Sequence, residues 1–193
     1  MTQIREPGRN RKETGGISTR ERESLEMLLE DARWIFSGMI YGFSFTWTPR
    51  SLARGIEEEL TITPLGLIPK GDPRMKVLAS VEENGFLFIQ LEYQPNAAQQ
   101  ARLKGWSGEA YPAASGSAAA ALIQEAPRRR ALEAAVREAI HLWLREREYN
   151  KPREVSGRVA FTHFPETGLD AGHVKASVRL RMILNPLRHY SVK

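Results

Sequence analysis

The sequence predicts an α+β fold, a curved and mostly antiparallel sheet of about five to seven strands with two long amphipathic helices packed on one face. Three observations predict it. Two segments, one near the start and one past the middle, repeat apolar residues at helical spacing. Several others alternate apolar and polar residues with period two. The alternating segments follow one another through turns, whereas parallel pairing requires crossovers. A partial β-barrel capped by helices satisfies the same observations and is the alternative.

Residues 1–17, MTQIREPGRNRKETGGI, hold almost nothing apolar and are expected to be a disordered tail. Their basic cluster at 9–12 is a candidate contact for an anionic surface. They lack a secretory apolar core, so the cytoplasm is the default expectation; an extracytoplasmic place requires a leader outside this chain. A single domain is expected over 18–185, with 186–193 as a C-terminal tail.

The first helix is expected at about 19–37. Leu25, Leu28, Leu29, Ala32, Ile35 and Phe36 form its stripe, Ser18 with Glu21 a capping box, and Gly38 its stop. In the strand that follows, Tyr41, Phe43, Phe45 and Trp47 alternate with Gly42, Ser44 and Thr46. Leu60 to Thr63 open a second strand, and Pro64 makes it either an edge strand or one broken by a bulge. The next pattern is a hairpin, residues 76–83 and 86–93 around Asn84-Gly85, a pair suited to a type I′ turn. That loop sets Glu83 opposite Phe86, Val81 opposite Phe88 and Leu78 opposite Leu91. Apolar residues on both faces predict cover on both sides.

Residues 94–126 change character to Ala, Gly, Ser and Gln and are expected to be a flexible insert, with a candidate helix at 97–104. Trp106 and Tyr111 lie in it as a possible lid or anchor; side chains of this kind also pin a long loop to a core. The second helix starts at Pro127, and Leu132, Ala135, Val136, Ala139, Ile140, Trp143 and Leu144 make its stripe. Arg128, Arg129 and Arg130 sit at the end disfavoured by the helix dipole, so nearby acids or an anion are expected to compensate. Two strands close the chain, 157–164 and 173–184, joined by a loop at 165–172. In the last, Val174, Ala176, Val178, Leu180, Met182 and Leu184 point one way.

Composition narrows function by exclusion. The 193 residues contain no Cys, which removes disulfides, thiolate metal sites and a thiol nucleophile. No apolar run approaches the roughly 18 residues of a membrane helix. The Gly-rich nucleotide loops and the G-x-S-x-G elbow are missing. No cofactor is expected. The net charge is +5, and all of this excess lies in residues 150–193. Arg outnumbers Lys 21 to 7, which favours bidentate contacts with phosphate or carboxylate and also follows from GC-rich codon usage.

Three sets of residues are candidates for function. Arg158, Lys175, Arg179 and Arg181 form a basic face on the closing strands, able to meet an anionic partner; charges on a sheet face also serve solubility. Tyr41, Phe43, Phe45 and Trp47 line either an apolar ligand cavity or an ordinary core. His163, Glu166, Asp170 and His173 have the chemistry of metal ligands, but their spacing is that of any long hairpin loop. The reading that follows is a non-enzymatic binding or scaffold protein that holds a protein or anionic partner through the basic face. A small apolar-ligand binder, or a metal enzyme built on the His163–His173 loop, are the alternatives. Nucleic acid is not favoured as partner, because the basic face carries no interleaved aromatics.

Overall fold

The computed structural model describes residues 19–83 and 86–190. The expected tail at 1–17, the Ser18 cap and the Asn84-Gly85 turn lie outside the described residues. The elements are, in order, α1 (Thr19–Ile40), β1 (Phe43–Thr48), β2 (Glu59–Pro64), β3 (Met75–Glu83), β4 (Phe86–Tyr93), α2 (Ala97–Trp106), β5 (Ala113–Ala121), α3 (Pro127–Arg145), β6 (Val155–Phe161), β7 (Glu166–Asp170) and β8 (His173–Leu184). The fold is α+β, and the main sheet curls into an antiparallel half-barrel in the order β2-β1-β6-β8-β5. The twelve residues of β8 organise it. β5 pairs with residues 173–181 on one edge; β7 takes 173–177 and β6 takes 180–184 on the other. Pro64 closes β2, which is an edge strand, the first of the two arrangements expected.

Alternation decides what each strand buries. Val174, Ala176, Val178, Leu180 and Met182 of β8 point into the core, while Lys175, Ser177 and Arg179 are exposed. α3 lays Leu132, Val136 and Ile140 against the inner surface, all fully buried and each worth about 1.5–3 kcal/mol. Phe43, Phe45 and Trp47 join the same core. The Phe43 ring lies 4.5 Å from Trp34 of α1 and 5.3 Å from Phe161 of β6.

Four expectations are corrected. α1 runs on through Gly38 to Ile40, because this glycine makes room for a neighbour instead of capping: a Cβ there would meet Phe43 at 2.1 Å. Residues 113–121, within the expected flexible insert, are the paired strand β5. The expected loop at 165–172 holds β7, and its turn is only Ala171-Gly172, both with positive φ (46° and 78°). Finally, β3 and β4 form a separate two-stranded sheet, and the expected cover on both sides is missing. Glu83 faces Phe86 and Val81 faces Phe88 as expected, but an irregularity at Leu78 sets Val77 opposite Leu91. Val81 and Phe88 are 58% and 56% exposed. On the other face only the β4 side chains Leu87, Ile89, Leu91 and Tyr93 are half-buried, Tyr93 stacking on Phe36 of α1 at 5.5 Å, whereas residues 76–82 of β3 are all exposed.

The base of this hairpin is fastened by a polar cluster. Gln99 of α2, 4% exposed, donates to the hydroxyls of Tyr41 and Tyr93, both at 2.9 Å. Its carbonyl oxygen accepts from the Asn96 backbone while Asn96 accepts from the Gln99 backbone, a complete capping box. At α3, the Arg129 guanidinium lies 4.0 Å over the Trp34 ring and 3.7 Å from Asp31. An acid does sit beside the basic first turn. Burial nonetheless keeps the Asp31 carboxyl above its ordinary range, against the pull of Arg129.

Candidate functional site

The four cations of the basic face have different surroundings. Lys175 pairs with Asp170 across the β7–β8 turn and holds that carboxyl below its usual range by hydrogen bonding and charge. Arg181 is half-buried and donates from Nη1 to the Tyr111 carbonyl at 2.7 Å. Arg158 and Arg179 are exposed and make no ion pair or side-chain hydrogen bond among the described residues. Trp106 and Tyr111 belong with Arg181. Their rings lie 5.8 Å apart, and Trp106 fills the space over Gly42, where a Cβ would meet it at 2.8 Å. Both rings are half-buried, packed on each other between α2 and β5.

The proposed metal set is divided by β7. Asp170 and His173 face each other at the turn, where His173 Nδ1 lies 3.0 Å from the Ala171 carbonyl. Glu166 begins β7 at its other end, opposite Ser177, and His163 lies just before it. No group of three His, Asp or Glu side chains with metal-binding geometry occurs among the described residues. The aromatic set divides too. Phe43, Phe45 and Trp47 are core, and Tyr41 instead accepts from Gln99.

An open groove of about 700 Å³ brings several of these residues together. Its floor follows from the strand register. Ser117 of β5, Ser177 of β8 and Glu166 of β7 lie in one row across the sheet. Ser115 and Arg179 lie in the next row, which the Thr162 backbone continues by donating to the Arg179 carbonyl at 3.0 Å. His163 and Phe164 border the groove where the chain leaves β6 for β7, and Glu138 and Leu142 of α3 border it as well. The Ser117 and Ser177 hydroxyls are 2.8 Å apart, and His163 Nδ1 is 3.0 Å from the Thr162 hydroxyl. Small β5 side chains leave the space open. Arg179 and Glu166, opposite in charge, both line the groove, and neither has an ion partner among the described residues.

Sequence reasoning singled out Arg179, His163 and Glu166, but in two unrelated sets. It missed Ser115, Ser117 and Ser177. The available signal was the alternation Ser115-Gly116-Ser117, which puts both hydroxyls on one side of a strand. A second, smaller cleft of about 240 Å³ contains Trp47, Glu58, Arg137 and His141. Its charges satisfy one another: Glu58 accepts from Trp47 Nε1 at 3.1 Å and from Arg137 Nη1 at 2.6 Å. The larger groove is therefore the stronger candidate.

No helix among the described residues is long and apolar enough to cross a membrane. No solved structure matches the chain. An uncharacterized protein of Treponema pallidum (strain Nichols) is 24% identical over 183 residues, which cover 92% of this chain and 77% of the relative. A protein-family model matches residues 3–190, almost the whole length, and the chain therefore belongs to that uncharacterised family.

Proposed function

We propose that this is a non-enzymatic binding protein that holds an anionic group, free or carried by a partner, at Arg179. One observation supports the reading: Arg179, exposed and without an ion partner among the described residues, lines the same groove as Ser115, Ser117 and Ser177. A guanidinium presents a planar fork of donors that matches phosphate or carboxylate. Hydroxyls rotate to donate to the remaining anion oxygens. Lys175 and Arg181 are already engaged, so the basic face narrows to this one residue within the groove.

The test is titration with inorganic phosphate and with acetate, followed by backbone amide shifts. Saturable shifts are expected in β5 and β8. Arg179→Ala should weaken binding about ten-fold or more, consistent with about 1.5–3 kcal/mol for a hydrogen bond to a charged group. Arg158→Ala, outside the groove, should leave it unchanged. Equal binding by the wild type and Arg179→Ala overturns the proposal.

A further inference from the structure

His163 borders the same groove as Arg179, and its surroundings fix which ring nitrogen holds the proton. The Thr162 hydroxyl donates to the Arg179 carbonyl at 3.2 Å, beside the Thr162 backbone N–H at 3.0 Å. A carbonyl oxygen only accepts, so the single hydroxyl proton is committed there. His163 Nδ1 lies 3.0 Å from the same hydroxyl oxygen. Nδ1 must therefore supply the hydrogen of that contact, and the neutral ring keeps Nε2 as a bare lone pair. Nε2 has no hydrogen-bond partner among the described residues, and the side chain is exposed. Two side-chain contacts thus tie the imidazole to the backbone of Arg179, the cation of the anion site.

We infer that His163 is a second, proton-gated contact of that site: neutral, its free nitrogen offers an oxyanion no donor; protonated, it adds a donor and a positive charge to the groove of Arg179. The inference rests on the anion site at Arg179 and adds its regulation, an oxyanion held weakly above neutral pH and more tightly in mild acid. Imidazole is the side chain that ordinarily changes charge between about pH 5 and 8, whereas glutamates ordinarily titrate below that window. The charged groups that line the groove with His163 are Arg179 of β8, Glu166 of β7 and Glu138 of α3, while β5 brings hydroxyls. Glu138 Oε2 lies 3.6 Å from His141 Nδ1 of its own helix, and Lys175 of β8 is taken by Asp170. Two carboxylates against one guanidinium weaken the hold on an anion, and a second cation restores the balance.

The experiment titrates the full chain with sulfate, an oxyanion whose own charge is constant over this range, at pH 8 and at pH 5.5. Amide shifts report binding, and chloride keeps the ionic strength fixed. Sulfate is expected to bind about ten-fold or more tightly at pH 5.5. His163→Ala should bind at both values as the wild type does at pH 8, and His173→Ala should keep the wild-type pH dependence. The imidazole nitrogen resonances at pH 8 should show His163 protonated on Nδ1. Circular dichroism of the variants, each an exposed substitution, reports that they fold. Equal binding by the wild type at the two pH values, still weakened by Arg179→Ala, overturns the gate while leaving the anion site standing. A pH dependence that survives in His163→Ala overturns the role of His163, and a proton on Nε2 overturns the tautomer on which that role depends. If sulfate binds at neither pH, the anion site falls as well.

Discussion

Asp72 is a carboxylate with 2% of its side chain exposed, which is tolerable only because Arg74 grips it. Arg74 donates from Nε to Oδ1 at 3.0 Å and from Nη2 to Oδ2 at 2.8 Å, and its backbone N–H adds a third bond at 3.0 Å. These bonds hold the Asp72 carboxyl below its ordinary range despite burial. A group with a depressed folded pKa binds its proton more readily when unfolded. Its stabilisation is therefore complete above the unfolded value, near 4, and disappears as pH falls through the lower folded value. Asp72→Asn should lower the urea midpoint at pH 7 and lower it less at pH 3. An equal loss at both values would mean that charge on Asp72 contributes nothing. Residues of this kind are hard to read from sequence. Asp72 sits in a Pro-Lys-Gly-Asp-Pro turn, where a polar residue looks ordinary. Its burial depends on Tyr93 and Gln99 arriving from other elements. The same limit applies to the basic face: alternation showed that Lys175, Arg179 and Arg181 share a side of β8, but not that Asp170 and the Tyr111 carbonyl occupy two of them.

Among the elements, β5 was the least legible and is the most consequential. Its sequence AASGSAAAA contains no β-branched or aromatic residue, so no local preference marks a strand. It forms because β8 offers nine residues of ladder and because α3 can approach it closely. Ala131, Ala135 and Ala139 are fully buried on α3, and the helix backbone lies against Gly116. A Cβ on Gly116 would lie 2.4 Å from the Ala139 nitrogen and 2.5 Å from the Ala135 oxygen. Backbone atoms cannot rotate aside, so α3 must lift. Gly116→Ala is expected to cost about 1–3 kcal/mol in urea unfolding, the range of overpacked cores. Ser117→Ala, one residue along and facing outward, should cost no more than about 0.5 kcal/mol. Similar losses in the two variants would show that α3 does not pack as tightly as the distances require. β7 escaped notice for a related reason: ETGLD is short and exposed on every residue, so no buried pattern announces it. Without β5 and β7 the groove has neither of its flanking rows, which is why its residues could be picked out but not assembled.

The whole molecule divides into parts of unequal stability. The half-barrel shares one core with α3 and the C-terminal half of α1: Trp34 and Ile35 meet Leu132, Val136, Phe161 and Leu180 in a single cluster. Among the described residues, the β3–β4 hairpin contributes none to it. Its strands bond only to each other, one of its faces is open, and a lone two-stranded ribbon is marginal in water. What holds it is the half-buried row Leu87, Ile89, Leu91 and Tyr93 of β4, with Tyr93 against Phe36 of α1, and the polar cluster of Asp72, Arg74, Tyr93 and Gln99 at its base. Local opening free energies follow such differences in buried apolar contact. Native-state amide exchange should therefore be at least about 100-fold faster in the bonded amides of 75–81 and 87–93 than in the centre of β8, a gap of about 2.7 kcal/mol. Asp72→Asn should speed exchange in the hairpin and leave the relative protection of β8 and α3 unchanged, because the bond it breaks lies outside the common core. Uniform acceleration across hairpin and half-barrel would instead mean that the two open together, and that the polar cluster couples them into one cooperative unit.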